Sequence, residues 1–275
     1  MNLLKNRVNQ ISGVSQAAFG LALSALLLFP SVAKAQVKVS PLVIETQAQR
    51  GQAQGMVSIT NMSDSPSRVR VYAEPFTYNP NTGFETLPAD TPNNLTPYLQ
   101  FSPRELTIQP RQTRRVRIIS RLAPNLPDGE YRAAVFNETL TEQKDGSGAV
   151  VTLATRVGVT FYVTKGNVAP KLTVDNASFD PKQENVILNI RNTGKASARP
   201  SVSWKLQRGN MVVKTGEVES ISIIAENERN VSLNYRSKDD PSLIPGNYQL
   251  SGELVWDEGK SRSQLPFKVD FTVPK

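Results

Sequence analysis

Groups able to carry covalent or acid–base chemistry are scarce in this chain of 275 residues, which contains no histidine and no cysteine. Their absence removes Ser-His-Asp and Cys-His nucleophiles together with the commonest zinc and copper ligands. Ser31-Val32-Ala33-Lys34 has the S-x-x-K spacing of a serine beside a lysine, but it falls in a segment that reads as a cleaved leader. Gly146-Ser147-Gly148 follows Lys144-Asp145 and reads as a hairpin loop, since no helix follows to complete a phosphate cradle. The acidic pairs Asp239-Asp240 and Asp257-Glu258 adjoin Pro241 and Gly259, so they sit in turns where adjacent side chains diverge. That argues against a glycosidase pair. The reading is therefore non-enzymatic, with no catalytic residue, no metal site and no cofactor.

The informative chemistry is that of recognition. From Ala149 to Thr164 the chain reads A-V-V-T-L-A-T-R-V-G-V-T-F-Y-V-T, and Val151, Leu153, Val157, Val159, Phe161 and Val163 form an apolar row broken only by Thr155. Period two makes this a β-strand with one apolar face, and its length is well beyond the usual five or six residues. Such a strand bridges two domains or offers its edge to an extended segment of another chain, although a strand of the inner core would show the same pattern. A second alternation sets Arg115, Arg117 and Arg121 against Val116 and Ile118, and Arg68 and Arg70 against Val69 and Val71. It reads as a solvated outer face, with an anionic polymer or membrane surface as the alternative. No aromatic interleaving supports nucleic acid.

These rows need positioning elements. Residues 1–35 read as a signal peptide: Lys5 and Arg7, the apolar stretch Ala17 to Phe29, Pro30, and Ala33-Lys34-Ala35, with cleavage after Ala35. The apolar stretch is 13 residues, shorter than the roughly 20 a membrane helix requires. The remainder, with 29 basic and 24 acidic residues, carries a mild +5. It alternates short strand-like runs with Pro, Gly, Asn and Ser, about seven strands in each half, which predicts an all-β chain of two tandem immunoglobulin-like β-sandwiches. The halves echo each other: Val57 to Asn61 with Ile187 to Asn192, Ile108, Val116 and Ile118 with Ile223, Val231 and Leu233, and Asp128-Gly129-Glu130-Tyr131 with Pro245-Gly246-Asn247-Tyr248. The tyrosines read as tyrosine corners, and Trp204 and Trp256 as core rather than sugar platforms. The boundaries are 36–166 and 167–275, with a hinge near Lys165 to Pro170.

Four segments carry a family likeness: Val57 to Val69, Phe101 to Ile118, Leu126 to Arg132, and the long strand ending Phe161-Tyr162. On these the first domain resembles the periplasmic chaperones of chaperone/usher pilus assembly, the PapD-like family, as a divergent member; the second domain matches in architecture and hinge position. The resemblance implies a periplasmic boomerang of two domains that donates a strand to pilus or other surface subunits, with an outer-membrane usher as a further partner; a free edge strand would also let two copies pair with each other. It makes Val151, Leu153, Val157, Val159 and Phe161 the subunit-binding row. The family's two basic anchors for the subunit carboxylate fall on Leu42 and on Val159 or Thr160, leaving Arg156 as the substitute anchor. The alternative is a structural or adhesive surface protein that binds carbohydrate or protein through its loops.

Overall fold

The computed structural model describes residues 37–144, 149–236, 241–258 and 261–275, with the side chains at 141–144, 150–153 and 258 outside that description. The leader, the loop at 146–148 and Asp239-Asp240 lie outside the described residues. Residues 37–275 form one compact unit.

Its first half contains β1 (Val37–Ser40), β2 (Val43–Gln47), β3 (Gln52–Asn61), β4 (Ser67–Glu74), β5 (Phe76–Asn79), β6 (Gly83–Thr86), β7 (Leu99–Ser102), β8 (Glu105–Ile108), β9 (Thr113–Arg121), β10 (Gly129–Lys144) and β11 (Val150–Lys165). Two sheets face each other, in the orders β1-β3-β9-β7 and β2-β11-β10-β4-β8, with β5 and β6 forming a separate hairpin. The sequence reading made Val37 to Glu45 one strand. The chain instead breaks around Pro41, whose nitrogen has no proton to give a ladder, so that β1 pairs with β3 in one sheet and β2 runs parallel to β11 in the other. The β5–β6 hairpin and β7 also went unread, being too short to show a period.

The second half contains β12 (Leu172–Asp180), β13 (Asn185–Asn192), β14 (Ser201–Arg208), β15 (Met211–Val218), β16 (Asn227–Leu233), β17 (Gly246–Glu258) and β18 (Ser261–Val273). Its sheets are ordered β12-β13-β16 and β15-β14-β17-β18. The architecture is that of two immunoglobulin-like sandwiches.

Each sandwich has its own core because inward positions alternate with outward ones along every strand. Val57, Ile59, Val69, Ile108, Val116, Ile118 and Val135 fill the first, and Leu188, Ile190, Trp204, Leu206, Leu250 and Trp256 are among those filling the second. Each such side chain contributes about 1.5–3 kcal/mol when fully buried. Tyr131 donates its hydroxyl proton to the Pro127 carbonyl at 2.8 Å, and Tyr248 donates to that of Ile244 at 2.9 Å, so both halves carry the tyrosine corner.

The sandwiches join through a third apolar cluster in which Ile224 meets Phe76, Ala134, Phe136 and Tyr162. Polar contacts surround it: Ser197 donates its backbone N–H to Glu130 at 2.7 Å, and Arg199 donates to Glu45 at 2.7 Å. Asn227 donates to the Thr77 hydroxyl at 2.9 Å.

Candidate functional site: the open edge of a long hairpin

Strands β10 and β11 pair without interruption from Gly129 opposite Lys165 to Lys144 opposite Val150. Their neighbours are shorter. On the far side of β10, β4 pairs only between Ala134 and Thr139, and on the far side of β11, β2 pairs only between Thr160 and Thr164. Toward the tip, β11 therefore has no strand on its outer side among the described residues.

The hydrogen bonds to β2 show which backbone groups point that way. Thr160 donates its N–H to the Leu42 carbonyl at 3.0 Å, and the Thr164 carbonyl accepts from Ala48 at 2.8 Å. Backbone direction alternates along a strand, so the other even-numbered residues, Gly158, Arg156, Ala154 and Thr152, aim N–H and C=O at the open edge. These are the groups an incoming strand would pair with.

The candidate row divides. Val159 and Phe161 have 0% exposed surface and belong to the first core, and Val157 is half-buried against it. Val159 and Phe161 thus hold the strand in its own sandwich and have no surface to offer a partner. Leu153 stands opposite Thr141 and Val151 opposite Gln143 on the strand, but their side chains are outside the described residues. Thr155, the break in the row, is exposed.

Leu42 and Thr160 are brought together by that Thr160–Leu42 hydrogen bond, and with Val43, Tyr78, Phe84 and Phe136 they line a pocket of about 370 Å³. Its floor is Ala134 and Gly158, and no cation lines it. Leu42 is 55% exposed and Phe84 is 42% exposed, so the pocket presents an apolar wall where the resemblance implies a pair of bases. The unread β5–β6 hairpin builds that wall: Phe84 stacks on Phe76 with centroids 5.4 Å apart and meets Phe136 edge-on at 6.4 Å. A Cβ at Gly158 would stand 3.3 Å from the Phe136 ring, which explains a glycine in this strand.

Arg156 lies on this pocket's face of the sheet. Its guanidinium sits 5.4 Å over the Phe136 ring and donates to the Tyr72 hydroxyl at 3.2 Å. That hydrogen bond raises the Arg156 pKa further. Nearer the second sandwich, burial pushes the Tyr162 hydroxyl up to about 12. Burial likewise raises the Glu130 carboxyl, against the opposing pull of its Ser197 bonds and of Arg132. Tyr162 and Glu130 belong to the junction between sandwiches and do not stand at the open edge.

No protein-family model matches the chain, and no curated protein matches its sequence. Among solved structures it is similar to a chain of the chaperone–tip adhesin complex of CFA/I fimbriae biogenesis, at 16% identity, covering 88% of this chain and all of that one, with a TM-score of 0.48. The CsuC–CsuE pre-assembly complex from the archaic chaperone-usher Csu pili of Acinetobacter baumannii is similar at 14% identity over 84% of this chain and 98% of that one, with a TM-score of 0.48. The E. coli chaperone DraB is similar at 14% identity over 85% and 96%, with a TM-score of 0.43.

Proposed function

We propose that this chain is a divergent periplasmic chaperone of the chaperone/usher kind, which binds a β-rich surface subunit by pairing the open edge of β11 with it. The observation that carries the reading is the outer side of β11, where β2 stops at Thr160 and, among the described residues, the backbone groups from Gly158 to Thr152 face no strand. An exposed edge of this kind is ordinarily suppressed because it templates aggregation, so its retention favours a binding role. The four sequence segments quoted above support the same reading. Residues 1–35 supply the argument for export.

The mode of anchoring differs from that of the family. With Leu42 and either Val159 or Thr160 at the family's basic positions, the pocket beside Leu42 and Thr160 suits an apolar side chain of the client strand, and the ladder of main-chain hydrogen bonds supplies the rest of the affinity. Arg156 borders the pocket through Phe136 and is the cation nearest to a client carboxylate.

Pull-down of the chain from its own cell envelope tests this. Ala154→Pro removes an outward N–H without touching the β10 ladder, and Leu153→Lys with Val157→Lys charges the row. A small β-rich subunit should co-purify with the wild type and disappear with either variant. Retention of the same partners by a folded Ala154→Pro variant sinks strand pairing and moves the search to the loops.

A further inference from the structure

The four strands of the sheet β1-β3-β9-β7 contain Lys38, Arg114, Arg115, Arg117 and Arg121 and not one Asp or Glu. All five cations are exposed. None has a carboxylate partner among the described residues. The sheet on the other side of the same sandwich differs: Glu45, Glu74, Glu105, Glu130, Glu138 and Glu142 lie among its basic residues. Ordinary surfaces intersperse the two signs.

Register arranges the cations. Arg115, Arg117 and Arg121 share the outward side of β9, opposite Ser58, Met56 and Gln52 of β3. They span about 20 Å along the strand, and Lys38 stands about 10 Å away across two strand spacings, opposite Thr60. Between the arginines the face carries Ile119, half-buried, and Met56, 42% exposed, with serine, threonine and glutamine elsewhere. It has no outward aromatic to stack a base, which disfavours a nucleic acid. Four of the five cations, Lys38, Arg115, Arg117 and Arg121, lie on the outward side and can meet one charged surface together, while Arg114 alternates onto the side of Val116 and Ile118; the two apolar side chains among the four suit the headgroup boundary.

We propose that this outer face docks the protein on an anionic lipid bilayer. The proposal is independent of the role of β11. Docked this way, the protein keeps its other sheet, with the open edge of β11, away from the lipid.

The test is flotation of the exported, processed chain with vesicles of phosphatidylglycerol and phosphatidylcholine, against vesicles of phosphatidylcholine alone. Each cation near an anionic surface contributes roughly five-fold in affinity, so Arg115→Gln with Arg117→Gln and Arg121→Gln should weaken binding to the mixed vesicles by about two orders of magnitude. Raising salt to about 0.5 M should release the wild type. Replacing the same three arginines by lysine should keep binding, and so should Lys182→Gln with Lys195→Gln and Lys268→Gln, which removes equal charge elsewhere. The proposal fails if wild type and the triple glutamine variant float alike, if the distant lysine variant weakens binding as much, or if anionic vesicles do not bind at all. It also fails if soluble polyglutamate at equal charge competes the protein off completely.

Discussion

The two sandwiches share their internal fastenings and differ on their surfaces. Asn61 at the end of β3 donates to the carbonyls of Ser65 and Ile108 at 2.7 and 3.0 Å, and Asn192 at the end of β13 donates to those of Ala196, Ile223 and Ile224 at 2.8, 3.2 and 3.3 Å. The tyrosine corners repeat in the same way. Their outer strands do not. In the second sandwich β15 and β18 are the edges of one sheet, and β18 contains Pro266, with Lys268 and Asp270 exposed beside it, all devices that discourage pairing. In the first, the open part of β11 from Val150 to Val159 has no proline and a single charge, Arg156. What ties loops to a core tolerates little change, whereas an edge can be closed in one copy and left available in the other.

The comparison breaks most readily at the asparagines. Asn192→Ala should cost about 4 kcal/mol, because it orphans buried carbonyls and also the N–H groups of Gly194 and Lys171 that its side-chain oxygen accepts. Asn61→Ala should cost about 1 kcal/mol less, since the groups it releases around Ser63 and Ser65 lie in a more exposed turn. Both tryptophans, Trp204 and Trp256, lie in the second core, so in urea unfolding their fluorescence follows the second sandwich and checks Asn192→Ala, while far-UV circular dichroism follows the strands of both and checks Asn61→Ala. A loss at Asn192 no greater than that of an ordinary surface substitution would mean that the second loop is fastened otherwise.

A smaller effect probes whether the sandwiches act as one body. Glu130 of the first accepts from Ser197 of the second, and burial holds its carboxyl above the ordinary 4.5. A pKa raised on folding means that the folded state keeps the proton longer. Stability from this group is present below about 4.5 and is lost as pH rises through the raised value, with a slope of at most about 1.4 kcal/mol per pH unit. Glu105 and Asp175 are held low by arginine partners, so they act in the opposite sense and gain stability with rising pH. The difference between wild type and Glu130→Gln isolates the junction: urea midpoints between pH 4 and 7 should converge at the acid end and favour the variant at the neutral end. Parallel curves would show that Glu130 is hydrated in solution and the junction open.

Much of this was legible in the sequence because period two survives burial. The echo of Ile108, Val116 and Ile118 in Ile223, Val231 and Leu233 is realised as six buried side chains, and Ile108 and Ile223 each give their carbonyl to the matching asparagine. Trp204 and Trp256 are core, as their alternating strands predicted. The candidate site was harder to read. Periodicity assigns a face to Val159 and Phe161, but it cannot say where the sandwich's own core ends along the strand, so residues serving that core looked the same as residues a partner could use. The pocket escaped because its wall comes from the four-residue strands β5 and β6, and because Leu42 and Thr160 meet only once the chain has switched sheets near Pro41. Leu42 beside Pro41 was the available signal.

The smallest effect bears on the arginines. On the outer face of the second sandwich, Arg191 of β13 bridges Asp175 at 2.6 Å and Glu228 at 2.9 Å, whereas Arg117 of β9 faces Met56 and Ser102 and has no carboxylate partner among the described residues. Exposed pairs contribute little, so Arg191→Gln should destabilise its sandwich only slightly, with salt reducing the loss. Arg117→Gln should change stability by no more than about 0.5 kcal/mol, on the stabilising side, since it relieves repulsion from Arg115. Hydrogen-exchange protection of the amides in β13 and β9 reads the two sheets separately. A destabilisation by Arg117→Gln equal to that by Arg191→Gln would make the arginine column a part of the fold; a silent substitution that nonetheless removes vesicle binding would make it a surface kept for a partner.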